Sequence, residues 1–263
     1  MRTFLLACLA PVCLFSAGAG ERADADRARI AKHFADKGST WTWVFCGDSI
    51  THGAVHTKGW RSFAEIFAER VRTELHRETT DAVINSGNNG QYSAELLIDA
   101  QYERQVRRFK PDAVLVMIGM NDPVRGKRDE SVFRANLVRL VDRIRADGAI
   151  PVLQTSNTIR NVENPDTPYL QGYAVRFEKL PGYMDQVRSV AAEKDLILVD
   201  HFAYWSREAA DPAVRDRWLE DPIHPGPLGH QIMARVILET LGIDTKKSAC
   251  LTLEAGGPAA PRP

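Results

Sequence analysis

Cysteine is scarce in this chain, with four in 263 residues, at positions 8, 13, 46 and 250. Thiols at these spacings build neither a disulfide framework nor a zinc-binding pair, which excludes a stapled mini-domain and a structural zinc fold. Charge of one sign is also missing in excess: 34 basic residues balance 34 acidic ones, and no block of Lys or Arg stands out. The footprint of a nucleic-acid binder, or of a protein held on anionic membranes, is therefore absent, and small or neutral partners are expected. The one long apolar stretch, Phe4 to Phe15, falls short of the roughly 20 residues that a membrane span requires. No internal repeat and no second domain is visible. What is present is a 44% hydrophobic composition, enough to bury one large core in a single domain.

The apolar stretch follows Arg2 and is succeeded by small residues, the pattern of a secretory signal. Ala17-Gly18-Ala19 and Ala23-Asp24-Ala25 both suit a signal peptidase, so residues 1–25 are expected to be the leader, with cleavage near 19 or 25 and an exported product. Leu5-Leu6-Ala7-Cys8 resembles a lipoprotein box but lies too early for one. Cys8 and Cys13 leave with the leader, and Cys46 and Cys250 carry no evident function. The folded domain is expected over 26–244. The tail 245–263, ending in Gly, Pro and Ala, has too little apolar content to pack and is expected to be disordered.

From Trp41 onward short apolar runs alternate with amphipathic ones. Strands are expected at Thr42 to Cys46, Ala82 to Asn85, Ala113 to Ile118, Ile150 to Thr155 and Leu196 to Asp200, each rich in Val, Ile and Leu as strands covered on both faces should be. Apolar spacing of three and four predicts helices at Trp60 to Arg77, Ser93 to Phe109, Glu130 to Asp147, Leu180 to Lys194 and Pro227 to Leu241. Five strands joined by right-handed helical crossovers give an α/β fold, a three-layer αβα sandwich around a parallel sheet of flavodoxin-like order.

Ligands gather outside the carboxyl ends of such strands, and four segments collect there. The first is Gly47-Asp48-Ser49-Ile50-Thr51-His52-Gly53, where Ser49 leaves the first strand as a candidate nucleophile. The second is the Gly- and Asn-rich turn Asn85 to Gln91, in which Gly90 has no side chain to block approach to its N–H; the third is Gly119-Met120-Asn121-Asp122, which brings an amide donor. The fourth, Asp221-Pro222-Ile223-His224-Pro225, precedes the last helix in a proline-stiffened loop. There His224 can serve as base, with Asp221 fixing its tautomer. Taken singly each has a plainer reading: Ser49 as a turn or cap, Gly90 and Asn121 as ordinary loop residues, Asp221 and His224 as a capping pair. A metal site lacks a third ligand at suitable spacing. His52 and His56 follow the nucleophile turn and read more readily as surface-loop residues than as substrate contacts.

Together and in this order, Gly47 to Ile50, the turn bearing Gly90, Gly119 to Asp122 and Asp221 to His224 are similar to the blocks of the SGNH (GDSL-type) hydrolase family, across nearly the whole domain. The resemblance implies Ser49 as nucleophile, His224 as general base and acid, Asp221 as its orienter, and an oxyanion hole made of the Ser49 N–H, the Gly90 N–H and the Asn121 side chain. Gly87 also matches a glycine of the second block, with Gly90 the better fit. It implies an ester hydrolase working through an acyl-serine without metal or cofactor. The absence of G-x-S-x-G around Ser49 separates it from the α/β-hydrolase elbow.

Two segments exceed what a minimal domain needs: 156–179, with Asn161, Tyr169 and Tyr173, and 201–220, with Tyr204, Trp205 and Trp218. Both are expected to border the site, their aromatic rings either stacking on a sugar or packing the loop interiors. Polar, aromatic-bearing loops on an exported enzyme favour a short acyl group on a carbohydrate over bulk lipid. Three functions stay open at this level: a secreted ester hydrolase, an O-acyltransferase using the same acyl-enzyme, and a non-catalytic carbohydrate-binding domain.

Overall fold

A computed structural model describes residues 20–53, 55–162 and 172–252. Its centre is a parallel five-stranded sheet of β1 (Trp41–Gly47), β2 (Asp81–Asn85), β3 (Ala113–Met117), β4 (Ile150–Gln154) and β5 (Ile197–Val199) in the order β2-β1-β3-β4-β5. This is the expected flavodoxin-like order, with every strand pair in parallel register, for example Val44 opposite Val114 and Leu115 opposite Val152. All residues of β3 and β4 are buried, which explains their largely apolar sequences, whereas β2 lies at an edge and is half exposed.

Helices α3 (Phe63–Ala68) and α10 (Pro227–Thr240) pack on each other, as do α6 (Glu130–Ala146) and α7 (Tyr173–Glu193). Right-handed crossovers put α3 and α6 on opposite faces, because β1 to β2 and β3 to β4 move across the sheet in opposite directions. The continuous helix expected from Trp60 to Arg77 is instead α3, opened by a Ser62–Glu65 capping box, followed by a π-type turn at Glu69–Glu74. The helix expected from Ser93 to Phe109 is broken into α4 (Ser93–Leu96), α5 (Asp99–Gln105) and a 3₁₀ turn at Arg107–Phe109. Extended backbone at Ile98, with a ψ of 128°, makes the break, leaving that side chain 54% exposed. Helix α7 starts seven residues before the expected Leu180 and runs through Pro181. The proline forgoes donation to the carbonyl of Phe177, a residue exposed enough for water to replace it.

Three expectations need correction. Residues 201–220 are not a loop: they form α8 (His201–Glu208) and α9 (Pro212–Trp218), capped by Asp200 and Asp211. The tail is not free from 245: Ser248, Cys250 and Leu251 are buried, with Ser248 Oγ 2.7 Å and Cys250 N 2.9 Å from the Glu74 carboxylate. Burial opposes the Glu74 charge, yet these donors and Arg70 hold its pKa down at about 2. Residues 253–263 lie outside the described residues. At the other end a helix the sequence reading missed, α1 (Glu21–Ala35), begins inside the segment 1–25, with residues 1–19 outside the described ones.

Helix α1 crosses beneath the amino ends of the strands. Near its start the Arg22 N–H meets Asp195, just before β5; Asp26 pairs with Arg145 at the end of α6; and His33 Nε2 lies 2.8 Å from Asp81, the first residue of β2. Asp81 also accepts from Trp43 Nε1 and Arg77 Nε at 2.9 and 2.8 Å. Burial works against its charge, but the His33, Trp43 and Arg77 donors keep its pKa below the ordinary value. Among the described residues no helix is long and apolar enough to cross a membrane.

Candidate active site

Ser49 opens α2 (Ser49–His52), a single turn immediately after β1, and Asp48 caps it by accepting from the Ile50 N–H at 2.9 Å. The second oxygen of Asp48 is buried without a partner, and burial pushes this carboxyl up to about 7. The nucleophile turn is clamped from β2. Asn85 Nδ2 reaches the Thr51 carbonyl at 3.0 Å, and the Asn88 N–H reaches the Gly47 carbonyl at 2.9 Å. Gly87 permits this close approach, since a β-carbon there would come within 2.3 Å of His52 N. Gly90 serves differently, holding a left-handed φ of +73° so that the turn faces the cleft.

The 175-residue gap between Ser49 and His224 closes in space: Ser49 Oγ stands 2.9 Å from His224 Nε2, and His224 Nδ1 stands 2.8 Å from Asp221 Oδ2. Asp221 and His224 occupy one narrow turn bridged at Leu219 and Pro225, with the Glu220 N–H on the His224 carbonyl and the Gly226 N–H on that of Trp218, both at 2.9 Å. Asp221 Oδ1 accepts the Ile223 and His224 N–H groups at 2.7 and 2.8 Å. Burial disfavours its charge, but the His224 and His56 donors outweigh that and hold Asp221 far below the usual carboxylate range. Burial likewise holds His224 below the ordinary histidine value, against the pull of Asp221. The ring is thus neutral at neutral pH, with Nε2 free to accept a proton.

Asn121 follows β3, and its orientation is set from both ends. Its Nδ2 donates to the Gln91 carbonyl at 3.0 Å, while Arg176 Nη2 of α7 donates to its Oδ1 at 3.1 Å, leaving a second amide hydrogen for a ligand. Among the described residues the Ser49 and Gly90 N–H groups donate to no protein acceptor. Ser49, Gly90, Asn121, Asp221 and His224 all line one cleft of about 680 Å³, with Met120, Ile223 and Val55 as apolar wall and Lys58, Arg125 and Arg176 as cationic wall.

In this arrangement a serine, a histidine and an aspartate are joined in series by hydrogen bonds, with three donors at the same rim. A model of the GDSL-like lipase/acylhydrolase family matches residues 45–232. The chain belongs to this family. An acetylxylan esterase of Geobacillus stearothermophilus is 29% identical over 224 residues, covering 80% of this chain and 98% of the relative. The crystal structure of an acetylxylan esterase from that organism superposes with a TM-score of 0.63 at 23% identity, over 79% of this chain and 97% of the other. LAE5, described as an α/β hydrolase enzyme from the metagenome of Lake Arreo, Spain, reaches a TM-score of 0.61 at 26% identity, over 78% and 96% of the two chains. As a member of the GDSL-like family this protein is a carboxylic ester hydrolase, which sets aside the non-catalytic carbohydrate-binding reading.

The aromatic residues expected at the site are elsewhere. Trp205 and Trp218 pack edge to face at 5.0 Å between ring centres, Tyr204 stacks on Trp218, and Tyr173 is buried. None of them lines the cleft, nor does Asn161 or His52, and Tyr169 lies outside the described residues. Two cleft residues in contact with the predicted site residues were not expected there. Arg176 lies on the helical turn that the apolar spacing did not reach. His56, read there as a surface residue, sits with its Nδ1 3.1 Å from Asp221 Oδ2 and its ring stacked on His224. His56, Asp221 and His224 thus form the three-residue cluster that sequence spacing did not show, their nearest ligand atoms within 4.8 Å of one another. The atoms are already engaged, His224 with Ser49 and Asp221, and Asp221 with both rings, so the cluster is a closed hydrogen-bonded network.

Proposed function

We propose that this enzyme is exported and removes a short acyl group, acetyl above all, from a carbohydrate ester through an acyl-Ser49 intermediate. The observation that carries the reading is the unbroken Ser49–His224–Asp221 relay opening onto the cleft. Neutral His224 takes the Ser49 proton as Oγ attacks the ester carbonyl, and Asp221 stabilises the imidazolium that forms. The oxyanion is met by the Ser49 and Gly90 N–H groups and the free hydrogen of Asn121 Nδ2. His224 then protonates the departing sugar oxygen as its bond to the acyl carbon breaks, and water, deprotonated by the same nitrogen, attacks the acyl-serine and releases the acid as the proton returns to Ser49.

Substrate class rests on the near full-length likeness to an acetylxylan esterase and on the cleft walls. Met120, Ile223 and Val55 suit a small acyl group, and Asn89, Lys58 and Arg125 suit a polar alcohol. Export rests on the leader pattern of the first residues. A panel of acetylated xylo-oligosaccharides against p-nitrophenyl esters of increasing chain length tests this. Activity should be highest on acetyl esters, and Ser49→Ala should be folded, inactive and unlabelled by a fluorophosphonate. Preference for long chains would overturn the substrate class, and an active Ser49→Ala the mechanism. Running the panel with an acceptor sugar and identifying the products separates hydrolysis from acyl transfer.

A further inference from the structure

Against the catalytic turn lies a second imidazole that the serine mechanism does not use. His56 comes from the segment between α2 and α3, yet its Nδ1 is 3.1 Å from Asp221 Oδ2, the oxygen that also faces His224 Nδ1 at 2.8 Å. Its ring lies parallel to the His224 ring, with centroids 3.4 Å apart and planes 3° from coplanar orientation. At that separation the two faces touch and nothing fits between them. The contact is registered by a neighbour, because Lys58 Nζ meets Glu220 Oε1 at 2.7 Å, so adjacent stretches of the two loops pair at two points. The segment is itself tied down at buried Thr57, whose N–H meets the Gly53 carbonyl at 2.9 Å and whose hydroxyl meets the Trp60 carbonyl at 2.6 Å.

We propose that His56 is a positioning residue of the reaction: by donating to Asp221 Oδ2 and covering one face of the His224 ring, it holds the orienter and the base in the plane that aims Nε2 at Ser49. The inference rests on the assignment of Asp221 and His224 as orienter and base. Asp221 Oδ2 faces two ring nitrogens, so each ring presents Nδ1–H to it, the tautomer that leaves His224 Nε2 as acceptor. A second donor on that oxygen draws off part of the charge His224 feels, so His56 tempers the base as well as aligning it. The other charged or titratable groups around the pair are Lys58 and Glu220 at the rim, Arg125 after β3, Arg176 of α7 and His230 of α10. None of these touches Asp221 as His56 does.

Two variants of the full-length enzyme separate the hydrogen bond from the stack. His56→Phe keeps an aromatic face and loses the donor. It should lower kcat about 10-fold with KM within about 2-fold, the scale expected when an outer partner of a working residue is lost. The acid limb of kcat/KM should move to higher pH, because Asp221, relieved of one donor, binds the His224 proton more tightly. His56→Asn, whose Nδ2 takes the place of Nδ1, should restore most of kcat and return the limb to its wild-type position. His56→Leu carries the same expectation as Phe if the ring variant melts early. A wild-type kcat and limb in His56→Phe, an effect on KM alone, or Asn no better than Phe would each overturn the proposal. Ser49→Ala measured alongside keeps the two readings apart: if it is active, the serine mechanism falls; if it is dead while the His56 variants are indifferent, only the role of His56 falls.

Discussion

In the proposed mechanism Asn121 is a single side chain prepared for a charge that exists only during reaction. Arg176 holds its carbonyl oxygen and the Gln91 carbonyl holds one amide hydrogen, so the remaining hydrogen is aimed without freedom to rotate away. Such a donor costs no reorganisation when the oxyanion appears. Asn121→Ala should therefore lower kcat by roughly 10²- to 10³-fold with little change in KM, as measured on a p-nitrophenyl acetate progress curve. A rise in KM at constant kcat would instead make Asn121 a ground-state contact. The residues that point outward from strand ends were readable because turn chemistry there is local: Asp48, Gly90 and Asp221 each act within a few positions of themselves. Arg176 and His56 act on residues 55 and 165 positions away, and nothing in their own neighbourhoods announces it.

At the scale of elements, the sheet was legible because strands buried on both faces cannot hide their composition, as β3 and β4 illustrate. Helices α8 and α9 were missed although each opens on an Asp cap, because eight and seven residues give too few turns for a period to register. The tail was missed for a different reason. Its order comes from partners far back in the chain, with Glu74, 174 positions earlier, accepting from Ser248 and Cys250, and Gln231 and Arg235 donating to the Cys250 and Leu251 carbonyls. Cutting the chain after residue 244 should therefore lower Tm by several degrees, a loss of about 1 kcal/mol corresponding to roughly 2–4 °C in a domain of this size. The sign of the pH dependence follows from Glu74. Its pKa is depressed on folding, so its contribution is present above the ordinary carboxylate value and fades as the pH falls towards about 2. The gap in Tm between full-length and truncated proteins should accordingly narrow on acidification. A gap that widened below pH 4 would mean that the Glu74 contacts do not set the pH dependence of tail docking.

For the whole molecule, the site occupies the carboxyl edge of the sheet while α1 binds the amino edge, tying β5, the end of α6 and β2 together from beneath. This bears on maturation. Cleavage near residue 25 would remove buried Ala23 and the Arg22 contact with Asp195, whereas cleavage near residue 19 leaves the helix whole. On the proposed export, intact-mass measurement of the secreted product should give a chain starting at Gly20, and a start at Asp26 would refute that choice. Both described cysteines are free and buried, and burial pushes their thiols up to about 12 for Cys46 and about 11 for Cys250. Neither is a thiolate at neutral pH, so an oxidising compartment offers them little reaction.

The narrow turn that carries Asp221 and His224 has a mechanical consequence. Base and orienter are three residues apart on a bridge closed by its own backbone, so their mutual distance is set by a handful of local torsions. Ser49 belongs to a different part of the chain, and the distance that joins it to His224 is carried by the contact of α2 with β1 on one side and of α10 with α3, α9 and β5 on the other. In tolerance terms the relay has one stiff link and one long one. Heat, denaturant or a distant cavity should strain the long link first, so hydrolytic activity acts as a gauge of how well the Ser49 turn and the His224 turn stay in register, and should fall before the sheet itself melts.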